Sequence, residues 1–252
     1  FPAVDKNAVV CYNKYIMLNK GANKMAIKHK NLVFQVNIKP KEAQHTSGAK
    51  TFFVKEDLFE YSNNRSKQYA DSIGADYFCL KHNTMGDDVA PVYHKFFIYK
   101  LFELGYDKIF WIDSDAIFTK LCPNVFEVWD GVCAVREHTN YQNANRRIGL
   151  DPTWHYFMSG QMMFDRDFYN KTKAHWREVF DEQFNNKFGK HDQGMFNILV
   201  SKHIGAYTDM GKDWGTWEGV GKYIRHYAGY TKKSWTQQAY EQWEAKIVKK
   251  YA

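Results

Sequence analysis

Apolar and polar positions follow one another along the chain in patterns that mark out alternating strands and helices. Leu32–Ile38 alternates and closes at Lys39-Pro40, which predicts a first core strand, and Thr51–Val54 predicts a further short one. Leu58, Tyr61, Arg65, Tyr69 and Ile73 recur at helical spacing, and Gly74 stands where a helix C-terminus is capped. Tyr77–Leu80 reads as the next strand and Asn83–Ala90 as a loop. Pro91 opens a helix through Leu104, with Tyr93, Phe97 and Leu101 on one face, and Gly105 ends it.

The run Lys108-Ile109-Phe110-Trp111-Ile112-Asp113-Ser114-Asp115-Ala116 organises the rest. Its apolar stretch predicts a buried central strand of a parallel sheet, which must be covered on both faces. It stops at two carboxylates separated by one serine. In extended geometry Asp113 and Asp115 project the same way, into the crevice at the carboxyl ends of the strands. Their mutual repulsion would be relieved by a hard divalent cation that also grips phosphate oxygens. An ordinary Asx-rich turn closing a strand is the competing reading.

Beyond this run, Val132–Val135 predicts a strand and Glu137–Phe157 a long polar loop. Met158-Ser159-Gly160-Gln161 reads as a small-residue turn leading into a strand at Gln161–Phe164. Phe168–Phe184 predicts one helix and Asp192–Val200 a short one. Glycine-punctuated loops then run to Tyr230, and Trp235–Tyr251 reads as an amphipathic C-terminal helix. Strands alternating with helices predict a layered, mainly parallel α/β sheet. No repeat or linker divides the 252 residues, so a single domain is expected, in which the first fifty residues fit no clear pattern.

Composition changes this picture little. Nineteen Phe, 17 Tyr and 8 Trp allow both a thick core and stacking surfaces for ring-shaped ligands. A net charge of +7 suits anionic ligands such as nucleotide diphosphates, while the absence of a basic run or basic-aromatic repeat argues against nucleic acid. Cys11, Cys79, Cys122 and Cys133 lack the spacing of a zinc site. No stretch is apolar for long enough to span a membrane. The start at Phe-Pro-Ala, without methionine, suggests a trimmed chain; the expectation is the Golgi lumen if an anchor was removed upstream, and otherwise the cytoplasm.

Two further clusters carry chemistry. His226-Tyr227-Ala228-Gly229-Tyr230-Thr231-Lys232 offers a nitrogen ligand, a glycine that lets backbone approach phosphate, and a neutralising lysine. His191-Asp192-Gln193-Gly194 places a carboxylate and an amide side by side at the start of a helix, where Asp192 as a plain N-cap is the rival reading.

With the Asp-x-Asp strand, the Ser-Gly segment, Asp-Gln before a helix and His-x-x-Gly-x-x-Lys in this order, the chain resembles metal-dependent nucleotide-sugar glycosyltransferases of the GT-A type. The families it looks like are the glycogenin/galactosyltransferase-like group and the plant and fungal xylosyl- and galactosyltransferase group. The resemblance runs from about Leu58 to Trp235 and implies a single-domain, Rossmann-like α/β fold with helices flanking a mainly parallel sheet. It implies that Asp113, Asp115 and His226 bind a divalent metal, Mn2+ or Mg2+, which holds the diphosphate of a UDP-sugar donor. By the same resemblance Gly229 and Lys232 contact the diphosphate. Lys95 and Arg65 are basic donor-binding residues, and Ser114 belongs to the donor site. Ser159 and Gly160 line the sugar pocket, Asp192 hydrogen-bonds the transferred sugar, and Gln193 faces the reacting centre.

The expected activity is transfer of a xylose-, galactose- or glucose-class sugar to a saccharide or glycoprotein glycan acceptor. The loop Glu137–Phe157, with His138, Arg146, Arg147 and His155, is expected to help bind that acceptor. Two rivals remain at this level: a metal-dependent phospho- or nucleotidyltransferase, and a non-catalytic carbohydrate-binding module. The first would need further carboxylates for a second metal; the second would have no use for Asp113, Asp115 and His226 together.

Overall fold

The apolar run identified above forms the strand at the centre of the molecule. The computed structural model describes residues 28–38, 55–85, 89–137, 141–185, 192–215, 221–228 and 234–251. In chain order the strands among the described residues begin with β1 (Asn31–Val36), β2 (Asp76–Leu80), β3 (Lys108–Ile112), β4 (Ala116–Phe118), β5 (Cys133–Arg136), β6 (Phe157–Asp165) and β7 (Thr208–Asp209). An eighth, β8 (Ile224–His226), comes late in the chain. The main sheet has the order β2-β1-β3-β6-β5-β7, and β4 pairs with β8 in a separate two-stranded ladder. β1, β2 and β3 run parallel, β6 is antiparallel to both β3 and β5, and β7 is parallel to β5. Only β6 therefore runs against the others, and the mainly parallel α/β architecture is as expected.

Helices cover both faces. They are α1 (Glu56–Ser72), α2 (Ile98–Leu104), α3 (Val125–Val128), α4 (Tyr141–Arg147), α5 (Arg166–Thr172), α6 (Trp176–Asn185), α7 (Asp192–His203) and α8 (Gln237–Tyr251). Phe34, Trp111, Met162 and Phe164 point from the sheet into one core with Phe96 and Phe196; Phe110, Ile112 and Met163 point into the other with Phe118 and Trp214. The alternation of buried side chains along β3 thus feeds two cores from one strand, which is why its sequence is apolar throughout.

Several boundaries differ from the sequence reading. Pro91–Phe97 is a 3₁₀ turn and only Ile98–Leu104 is α-helix. The helix expected over Phe168–Phe184 is two helices, interrupted between Thr172 and Trp176. The loop Glu137–Phe157 contains α4, whose Asn145 is buried and donates to the Trp154 carbonyl at 2.7 Å. Ser159 and Gly160 are not a turn but lie inside β6. There the strand bulges: Met162 pairs with Ala134, yet the next pair is Phe157 with Arg136, so Met158–Gln161 stand opposite Val135 alone. The expected strand Thr51–Val54 lies outside the described residues.

Candidate active site

Asp113 and Asp115 meet through a turn, not through strand alternation. β3 ends at Ile112, and the Ala116 N–H donates to the Asp113 carbonyl at 3.0 Å, closing a tight turn that carries both carboxylates. The chain leaves this turn as β4, whose antiparallel ladder with β8 sets Ala116 opposite His226. The Tyr227 N–H donates to the Asp115 carbonyl at 2.8 Å, continuing the same ladder. His226 Nε2 consequently stands 3.1 Å from Asp115 Oδ1 and 3.8 Å from Asp113 Oδ2. One ligand atom from each of the three residues lies within 4.8 Å of the others.

Gly160 makes room for this cluster. A Cβ there would meet His226 Cε1 at 2.6 Å and Asp113 Oδ2 at 3.3 Å, so a side chain would push the imidazole aside. The Gly160 carbonyl accepts the Asp113 N–H at 2.8 Å and ties the turn to β6. Two carboxylate oxygens and one imidazole nitrogen on a common focus are the donor set of a divalent cation, and the residues present fit one. Burial raises the Asp113 pKa, the neighbouring Asp115 and Asp192 carboxylates raise it further, and Lys95 and His226 oppose them.

Lys95 is the second hub. It rises from the 3₁₀ turn before α2, buried over the Trp111 ring at 5.1 Å from its centroid. Its Nζ lies 3.0 Å from Asp113 Oδ1 and 2.6 Å from Asp192 Oδ2, and donates to the Ser159 carbonyl at 3.0 Å and Ser159 Oγ at 3.1 Å. Burial alone would lower its pKa; the two carboxylates outweigh it and hold the amine charged, above its usual value. Ser159 Oγ donates in turn to Asp192 Oδ2 at 2.6 Å, and the Ser159 N–H donates to Gln193 Oε1 at 3.3 Å. Lys95, Asp113, Ser159, Asp192 and Gln193 therefore form one connected group.

Of the other expected site residues, Ser114 turns its hydroxyl away, donating to the Val36 carbonyl at 2.6 Å at the end of β1. Arg65 is not brought to this group. It donates to the Phe118 carbonyl at 2.9 Å and pairs with Glu244 of α8 at 2.6 Å. Gly229 and Lys232 lie outside the described residues, as does His138. Arg146 and Arg147 are exposed on α4.

A supporting network escaped the sequence reading. Tyr77 OH donates to Gln35 Oε1 at 2.8 Å, and Gln35 Nε2 donates to Ser62 Oγ at 3.1 Å and to the Asp113 carbonyl at 3.3 Å. Ser62 Oγ donates onward to the Ala116 carbonyl at 2.5 Å. Both ends of the carboxylate turn are thus held from behind by β1 and α1. The visible signal was Gln35 itself, an amide inside the apolar run of the strand, fully buried there.

Comparison with known proteins agrees with this geometry. Among solved structures, a glycosyltransferase involved in glycosylation of the major capsid of PBCV-1 superposes with a TM-score of 0.54 at 9% identity, covering 81% of this chain and 96% of that one. At that identity the likeness speaks for the fold. Weaker likenesses are the galactosyltransferase LgtC, with a TM-score of 0.49, 12% identity and 87% and 94% of the two chains covered, and GlyE of Streptococcus pneumoniae TIGR4, with 0.48, 13%, 87% and 62%. No curated protein matches the sequence. The profile of glycosyl transferase family 8, however, matches residues 6–239, spanning every residue of the group built above, and the chain belongs to that family.

Proposed function

We propose that this glycosyltransferase moves a sugar of the xylose, galactose or glucose class from a UDP-sugar to a saccharide or glycan acceptor, with Mn2+ as the preferred ion and Mg2+ as the weaker one. The observation that carries this reading is the convergence of Asp113, Asp115 and His226 on one focus. The imidazole nitrogen favours Mn2+, since Mg2+ prefers an all-oxygen shell. A cation held there supplies positive charge to the diphosphate as the glycosyl bond breaks.

The chain's own residues divide the remaining work. Asp192, oriented through Oδ2 by Lys95 and Ser159, is proposed to hydrogen-bond the transferred sugar. Gln193 lies beside it on the reacting face, where a carboxylate and an amide oxygen suit the positive charge that develops on the sugar ring. The single positive charge of Lys95 lies between Asp113 and Asp192 and offsets the repulsion between the two acids. Ser159 and Gly160 form the wall of the sugar pocket, and Gly229 and Lys232 are assigned to the diphosphate.

Calorimetric titration with UDP, with and without Mn2+, tests the reading. UDP binding that depends on the metal and is abolished by Asp115→Ala supports it. Equal UDP affinity in Mn2+ and in chelator would overturn it.

A further inference from the structure

The bulge in β6 opens the sheet between two strand ends that bear charge. Trp111, Met162 and Ala134 stand in one row across β3, β6 and β5. Two residues further along, the chain leaving β3 has reached Asp113 and β5 has reached Arg136. These two residues therefore lie on either side of the bulged Met158–Gln161 segment. Arg136 pairs with Phe157, whose ring belongs to the core face that also carries Trp111, so Arg136 shares its face with Lys95.

Arg136 is half-buried, and its Nε is buried without a hydrogen-bond partner. No carboxylate among the described residues pairs with its guanidinium. The nearby acid is engaged differently: Asp209 Oδ1 accepts the backbone N–H of Arg136 at 3.1 Å and of Gly211 at 2.9 Å. Beside it, the Tyr207 ring packs edge-on against Phe157 at 4.9 Å and leans on Trp154 at 5.9 Å, while its buried hydroxyl makes no hydrogen bond. A buried N–H that finds no acceptor has given up its water without compensation, a loss that a bound acceptor would make good. Its planar fork matches an oxyanion, and the neighbouring Trp154 and Tyr207 rings suit the apolar face of a sugar.

We infer that Arg136, with the Tyr207 hydroxyl, forms a subsite for an anionic group (a carboxylate, or a sulfate or phosphate ester) carried by the acceptor saccharide. The inference rests on the glycosyltransferase reading above and specifies the acceptor's chemistry. With Arg136 and Asp113 on opposite sides of the bulge, the transferred sugar would lie between Arg136 and the diphosphate. The alternative source of the same chemistry is a uronic acid as the transferred sugar, and the test separates the two.

The experiment uses the whole chain with Mn2+ and UDP-sugars of neutral and uronic-acid type. Transfer is scored on an array of neutral saccharides and their uronate, sulfate-ester and phosphate-ester counterparts, and donor hydrolysis is measured alongside. The expected result is transfer from a neutral donor, preferentially onto anionic acceptors. Arg136→Gln should raise the KM for those acceptors at least tenfold, Arg136→Lys should restore part of the loss, and neither should change donor hydrolysis. Transfer to neutral acceptors with equal or greater efficiency, or use of uronic-acid donors alone, overturns the inference. A fall in donor hydrolysis equal to the fall in transfer overturns it as well. Absence of donor hydrolysis in the unaltered protein would instead strike at the glycosyltransferase assignment itself.

Discussion

His226 Nε2 lies 3.1 Å from Asp115 Oδ1 although 111 residues separate them in sequence. The contact is made by the short ladder of β4 and β8, in which the backbone of Ala116 faces that of His226. The ladder fixes the main chain of His226, from which the imidazole reaches the carboxylate turn. Gly160 on the neighbouring strand is the complementary half of that arrangement.

Gly160→Ala should therefore act on metal affinity more than on folding. The new methyl would stand 2.6 Å from His226 Cε1 and displace the ring. A loss of roughly 10–100-fold in Mn2+ affinity is expected, the range seen when a ligand's support is disturbed. Electron paramagnetic resonance titration of Mn2+ measures it directly, and unchanged affinity would mean that His226 is no ligand.

Lys95→Met should cost about 3 kcal/mol or more, because it removes the buried cation that Asp113 and Asp192 share. Asp192→Asn, which keeps the shape and removes one charge, should cost less. Denaturant unfolding of both variants provides the comparison, and equal stability of Lys95→Met and the parent would contradict the charge balance described above.

Gln35→Leu removes the amide that holds the back of the carboxylate turn while preserving the apolar character of β1. Ser62 and the Asp113 carbonyl each lose a donor. The expected outcome is weaker Mn2+ binding by about tenfold together with a stability loss of about 1–3 kcal/mol. Isothermal titration at matched temperature separates the two effects; loss of stability with unaltered metal affinity would reduce Gln35 to a packing residue.

Arg65→Met should lower stability and leave the donor alone. Its guanidinium bridges Phe118 and the buried Glu244, joining α1 and α8. The melting temperature is expected to fall while the Kd for UDP with Mn2+ stays within twofold. A tenfold weaker Kd would restore the donor-binding role that the resemblance implied.

His94 gives the pH dependence. It is fully buried, and burial lowers its pKa from 6.5 to about 4. The unfolded chain thus takes up a proton between those values that the folded chain refuses. This contribution to stability is complete above pH 6.5 and is lost as the pH falls toward 4, by about 3 kcal/mol in all. Urea midpoints at pH 7 and pH 4.5 should show the decline, and His94→Gln should flatten part of it. The same decline in both proteins would exclude His94 as its source.

The sequence by itself determined the layered α/β plan, the central strand, and the three chemical clusters at Asp113–Asp115, Asp192–Gln193 and His226. Those features are local: a buried strand must be apolar, a strand end must stop on polar residues, and periodicity reports which faces are covered. It also placed Lys95 correctly on its helical turn, but could not say that one amine would join Asp113 to Asp192. Only the tertiary structure decided that join, because it depends on β3, β6 and α7 meeting at one place. The same holds for Arg65, which the resemblance assigns to the donor and which the fold pairs with Glu244 of α8. Ser159 and Gly160 looked like a turn because small residues break local patterns equally in turns and in bulges. The distinction lies in the pairing partners on either side, β3 keeping register and β5 losing it, and no single strand carries that information in its own sequence.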